Sequence, residues 1–154
     1  MNIDWAELFF TSGGRVNRAK YWIAQLVCFS VLLIIAALGY SFSALGYAGP
    51  VIGFIAGVIL SIVGLILTVL VTVATITVGI KRLHDRNKSA WWLLLFYGVP
   101  GVIGGWYGTY TGLGLSLFLA SFAIWIWTIV ELGCLRGTEG SNQYGPDPLA
   151  GTTA

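Results

Sequence analysis

Long uncharged runs alternate with short polar segments along this chain. The first apolar run extends from about Tyr21 to Tyr40 and the second from Val51 to Ile80, neither holding a charge. A third, Trp91 to about Tyr107, is shorter and interrupted by Gly98, Pro100, Gly101, Gly104 and Gly105. The fourth runs from about Leu113 to Leu135 and carries Glu131 near its end. Crossing hydrocarbon takes roughly 20 helical residues, and only helices or closed barrels satisfy the backbone there. None of the runs alternates polar and apolar positions as barrel strands do. The pattern predicts an all-α integral membrane four-helix bundle, one membrane domain over residues 1–154, with spans at about 21–40, 51–80, 91–107 and 113–135. The third run, broken by Pro-Gly, also suits a re-entrant hairpin.

Within the second run, Gly53, Gly57, Ser61, Gly64, Thr68, Thr72, Thr75 and Gly79 recur at intervals of 3 or 4. That is the repeat of one helix face, so Gly53 to Gly79 should form one helix, about 40 Å long at ~1.5 Å per residue. Such a rod is longer than the hydrocarbon is thick and must tilt or project into the cytoplasm. Small residues let helix backbones approach, against a neighbouring span or a second copy of the chain. A polar-lined solute path is the rival reading, although no ionisable group stands at mid-depth.

Composition agrees with the pattern. Charged residues are 9% and apolar residues 57% of the 154, with a mean hydropathy of +0.86. A soluble domain this small needs far more polar surface. A water-soluble enzyme and a nucleic-acid-binding domain are excluded, and the expected partner is the lipid bilayer.

The charges also orient the chain. Arg15, Arg18 and Lys20 precede the first run; Lys81, Arg82, Arg86 and Lys88 lie between the second and third; Arg136 follows the fourth. These are all 8 Lys and Arg of the chain, while the connectors from Ser41 to Pro50 and from Gly108 to Gly112 carry no charge. With four crossings every basic segment shares one side, which the positive-inside bias makes cytoplasmic. Both termini are then cytoplasmic. Asp4 and Glu7 in the leader argue against a cleaved signal peptide, so the first span should be retained. Cys28 and Cys134 fall on the reducing side, where a disulfide is not expected, and two lone cysteines make no metal-ligand pattern. No cofactor is expected.

Three polar segments hold the remaining chemistry: GRVNRAKYW from Gly14 to Trp22, KRLHDRNKSAWW from Lys81 to Trp92 followed by Pro100-Gly101, and EGSNQYGPDP from Glu139 to Pro148. Together they resemble the bacterial inner-membrane family known as domain of unknown function 805. That family pairs a GR-x-x-R-x-x-[YF]-W start with an R-L-H-D-x-x-x-S-x-W-W loop and an N-x-Y-G-x-D-P tail. Ala90 stands where the family often has Gly, and the second span is long for it. The resemblance implies a membrane address and a fold type, and no activity.

Arg15 and Arg18 share a face if a helix opens near Asn17. Tyr21, Trp22, Trp91 and Trp92 suit the headgroup level. Ser89 suits an N-cap for the third span. The run from Asn142 to Pro148 is turn chemistry. Arg15, Arg18, Lys81, Arg82, Arg86, Asp85 and Asp147 should meet on one cytoplasmic surface. They form either an ion-paired cap, with Asp85 and Asp147 clamping the arginines, or a site for an anionic lipid headgroup, nucleotide or partner protein. In the second case Arg15, Arg18, Arg82, His84, Asp85, Arg86, Asn142, Tyr144 and Asp147 form the site, since Arg forks suit phosphate. His84, Asp85 and Glu131 support a third reading, a membrane enzyme, but no nucleophile motif or second His accompanies them and no catalytic residue is assigned. Glu131, about one turn from the interface, could be functional or could snorkel or pair with Arg136 or Lys81. A small transporter, flippase or channel subunit, oligomeric because the chain is short, is the alternative function. A homo-oligomer fits either view.

Overall fold

The computed structural model describes residues 3–44, 50–104 and 112–150. α1 (Trp5–Phe10) opens on Asp4, whose side chain accepts from Glu7 N at 3.0 Å. α2 (Arg18–Ala44) opens on Asn17, whose Oδ1 accepts from Lys20 N at 2.9 Å. α3 (Pro50–Asp85) follows, then a π-helical turn (Leu94–Gly98) leading into α4 (Val99–Gly104). α5 (Gly112–Thr128) continues as a second π-helical turn, Ile129–Cys134, and the tail runs on to residue 150. Among the described residues there is no strand, and the tail holds an isolated antiparallel bridge between Asn142 and Gly145.

α3 is continuous and outruns the expected stripe at both ends. Its 36 residues span about 54 Å at ~1.5 Å per residue. Lys81 to Asp85, expected in a loop, form its last turn. It stops through a paired C-terminal motif: Lys88 N donates to Leu83 O at 2.9 Å and Asn87 N to His84 O at 3.0 Å. Asn87 takes the left-handed conformation this needs, at φ 57°. Asn is one of the few residues besides Gly that adopt it readily.

The third segment is helical where a span was expected, and the helix passes through Pro100 instead of breaking at Pro100-Gly101. Proline in a helix removes a donor and crowds the carbonyl four residues back. The wider π turn lies immediately before it, where Val99 N reaches Leu94 O. The described part of this segment runs from Trp92 to Gly104. The rest of the expected third span, the connector after it and most of the connector from Ser41 to Pro50 lie outside the described residues. Among the described residues three helices are long and apolar enough to cross a membrane, Arg18–Phe42, Val51–Asp85 and Gly114–Cys134, with Leu94–Ile103 a shorter fourth.

α2 packs along α3, α1 crosses the polar end of α3, and α4 lies on α5. The buried core gathers at that same polar end, around Val16, Tyr21, Ala24, Val78, Leu83, Phe96 and Leu132. From Val51 to Leu70 the large apolar side chains of α3 are exposed. Such a surface suits lipid rather than water. Gly57 lies against Phe42, Gly64 against Ile35 and Gly79 against Leu93, so these stripe glycines seat α2 and the π turn on α3. Ser61, Thr68 and Thr72 point outward and donate to carbonyls of their own helix at 2.8 Å. Gly53 is half-buried in the outer cleft between α2 and α3, and Thr75 is half-buried lower down.

Candidate functional site

A helix that ends leaves its last carbonyls without amide partners. The end of α5 meets this need with side chains from other helices. Leu132 O accepts from Arg82 Nε at 2.7 Å, Gly133 O from Trp22 Nε1 at 3.1 Å and Cys134 O from Arg18 Nη1 at 3.0 Å. Leu135 O accepts from Arg82 Nη2, and Arg136 O from Arg86 Nη1 at 2.5 Å. Five successive carbonyls are thus capped by three arginines and an indole. Cations are the favoured partners at a helix C-terminus.

Asp85 holds the centre. Its Oδ2 accepts from Arg82 Nη1, and its Oδ1 from Arg15 Nε at 3.1 Å. Arg15 then reaches into the tail, donating to Thr138 O at 2.5 Å and through Nη1 to Gly140 O at 2.6 Å and Gly145 O at 3.3 Å. Thr138 closes the circuit by donating its N–H to Asp85 O at 2.8 Å. Arg82 is fully buried, and the Arg15 and Asp85 side chains are almost so. A buried charge of this kind persists only when paired and hydrogen-bonded.

Around this centre the tail is docked by lighter contacts. Asn142 Nδ2 donates to His84 O and to Thr138 Oγ1, each at 2.9 Å. Tyr144 stacks on His84, centroids 3.9 Å apart and planes within 4°. Asp147 accepts from Gly140 N at 3.0 Å and Leu149 N at 2.9 Å, and these amides hold its carboxyl below the usual carboxylate range.

The structure brings together Arg15, Arg18, Arg82, His84, Asp85, Arg86, Asn142, Tyr144 and Asp147, and revises several of their roles. Arg15 precedes Asn17 outside the helix, so it shares no helix face with Arg18; Arg15 meets the tail and Arg18 the end of α5. Lys81 leaves the cluster, and its Nζ donates to Glu7 O at 2.5 Å, tying α1 to α3. Asp147 clamps a turn of the tail and forms no ion pair with an arginine among the described residues. Glu131 pairs with neither Arg136 nor Lys81: its Oε1 meets Arg86 Nε at 3.1 Å and Lys88 Nζ at 2.8 Å. Arg136 instead faces Glu139, in an exposed pair at 3.4 Å. His84 and Asp85 form no dyad, because the carboxylate lies between Arg15 and Arg82 while the imidazole lies on Tyr144. Trp22 and Trp92 are partly covered and bonded within the fold, whereas Trp91 is freely exposed. Cys28 and Cys134 are free thiols. Among the described residues no three His, Cys, Asp or Glu side chains converge as metal ligands.

Two glycines belong to the site and were not singled out from the sequence. A Cβ on Gly137 would overlap Asp85 Oδ2, and one on Gly133 would overlap Trp22 Cζ2. Their local signal, two glycines four residues apart across the end of the last apolar run, reads as ordinary turn composition. Thr138 gave no signal at all.

Beside the cluster, a cavity of about 440 Å³ opens between the start of α2 and the tail, lined by Asn17, Arg18, Arg136, Thr138, Glu139 and Asp147 among others, with Arg82 and Asp85 in its wall.

Residues 9–146 match the family described as "Protein of unknown function (DUF805)". The chain belongs to that family. It is similar to the inner membrane protein YhaH of Escherichia coli K12, 35% identical over 71 residues, 46% of this chain and 40% of that one. Inner membrane protein YhaI of the same organism is 37% identical over 75 residues, 49% of this chain and 44% of its own. The uncharacterized protein YiiR, also of that strain, is 30% identical over 73 residues, covering 46% and 49%. The matched stretch spans less than half the length of each relative. No solved structure matches. With its apolar helices, the chain is a member of a bacterial membrane-protein family of unknown function.

Proposed function

We propose that this chain is a four-crossing bacterial inner-membrane protein with both termini cytoplasmic, and that its cytoplasmic cap binds an anionic phosphate-bearing headgroup without catalysing a reaction. The inner-membrane address follows YhaH and YhaI. The cap divides into two layers. Arg15, Arg82 and Arg86 are committed to carboxylates and backbone carbonyls, so they hold the fold. Arg18 and Arg136 keep donors without a protein partner among the described residues and face the 440 Å³ cavity.

That cavity with its two open guanidiniums is the observation that carries the reading. Its acids compete little: Asp85 is neutralised by two arginines and Asp147 is engaged by amides. Glu139 forms a solvent-screened pair, a kind worth about 0–1 kcal/mol. The N-terminal end of α2 adds a favourable dipole for an anion.

Titration of the solubilised protein with sn-glycerol 3-phosphate, followed by the Nε–Hε signals of arginine, tests this. Saturable shifts at Arg18 and Arg136, lost in the Arg18→Ala/Arg136→Ala variant, are expected. Equal binding by that variant, or no saturable binding by wild type, rejects the site.

A further inference from the structure

α1 has six residues, far fewer than the ~12–15 that let a helix stand alone in water, so it depends on what it packs against. At ~100° per residue its side chains sort by direction. Leu8 enters the core cluster. Trp5 and Phe9 stand together on the next flank, their rings stacked with centroids 5.6 Å apart. Phe10, 62% exposed, points away from the core. Asp4 and Glu7 fall on the flank opposite Phe9, where they line a small cleft with Lys20 and Lys81.

Two contacts set the depth of this helix. Lys81 Nζ, at the polar end of α3, donates to Glu7 O at 2.5 Å. Phe9 packs on the cluster of Cys28, Val71 and Ala74. α2 offers 24 uncharged residues, Tyr21 to Ala44, for a crossing. A crossing takes ~20 of them, so Cys28 falls within the hydrocarbon in every register. The aromatic flank of α1 is therefore turned toward the membrane and the acidic flank away from it.

We propose that α1 is an interfacial helix, lying on the leaflet at the cap end with Trp5 and Phe10 among the glycerol and upper acyl groups of its lipids. The segment before α2 is then held by lipid as well as by Lys81, and is not a free polar leader. The occupant follows from continuity: the surface beneath Phe9 belongs to the two helices whose exposed apolar side chains already suit lipid. Trp is favoured at this level, and amphipathic helices sink an apolar flank about 5–10 Å into it. The inference needs α2 to cross the membrane and does not rest on the phosphate site.

Nitroxide labels at Trp5→Cys, Glu7→Cys and Phe10→Cys test this by electron paramagnetic resonance. Each is placed in a Cys28→Ala/Cys134→Ser background, in vesicles of phosphatidylethanolamine and phosphatidylglycerol. Oxygen partitions into lipid and a nickel chelate stays in water. Leu65→Cys, on the exposed face of α3, and Glu139→Cys, in the tail, mark the two limits. The oxygen-to-nickel ratio at residues 5 and 10 should rise above that at residue 139 toward that at residue 65, while residue 7 keeps the value of 139. Arg18→Ala/Arg136→Ala should leave all three ratios unchanged. Circular dichroism checks each fold, and Phe10→Cys carries the result if loss of the Trp5 ring unfolds α1. Ratios at residues 5 and 10 equal to that at 139 put α1 in water and overturn the proposal. Exclusion of both reagents with spin–spin broadening puts a second copy on this flank and overturns it as well.

Discussion

Arg82 is fully buried, and its guanidinium serves Leu132 O, Val16 O, Leu135 O and the Asp85 carboxylate together. A planar fork supplies such divergent bonds, and a lysine ammonium does not. Asp85 in turn compensates two buried arginines, so removing its charge strands both. Asp85→Asn should destabilise the protein by about 3–5 kcal/mol, the usual cost of breaking a buried pair. Arg82→Lys should cost less but still release the end of α5. Thermal unfolding in detergent checks the order: Asp85→Asn most affected, Arg82→Lys next, exposed Glu139→Gln unchanged within error. The sequence places Arg82, Asp85 and Arg15 on one surface by charge alone. It does not reveal that the arginines bond mainly to backbone carbonyls, because every residue carries a carbonyl and no side-chain type marks the ones left open.

Elements are joined by close approaches. Gly79 admits Leu93 Cδ2 to within 3.1 Å of where a Cβ would stand, which brings the π turn onto α3. Gly133 admits the Trp22 ring, so the indole can donate to the Gly133 carbonyl. Gly133→Ala should therefore push Trp22 away and loosen α2 from α5. Trp22 fluorescence in a variant with the other tryptophans replaced should shift red, and hydrogen exchange at the end of α5 should rise. Gly79→Ala should do less, since a leucine methyl can give way by a few tenths of an ångström. The small-residue face of α3 is legible as a face from its 3-and-4 intervals. Which of its members meet another helix is not, since Ser61, Thr68 and Thr72 share the repeat yet point outward. The π turn at Leu94–Gly98 was also hidden: proline and glycines in an apolar run read equally as a break.

For the molecule as a whole, the packed core and the polar network coincide at one end, while the opposite ends of α2 and α3 expose leucine, isoleucine and valine. Tag-accessibility mapping should find both termini and Asn87 protected from an external reagent and residue 47 labelled, as four crossings require; a terminus on the outside would reject that topology. The apolar helices fit to span a membrane and the helical class were determined by the sequence itself. Hydropathy, helical repeat and charge sidedness are local or additive properties, and they survive without knowledge of any contact. Tertiary structure alone decided which partner each charge takes: Lys81 to α1, Glu131 to Arg86 and Lys88, and Asp147 to its own turn. Those choices depend on angles and gaps between helices that pack far apart in sequence, so only the assembled fold contains them.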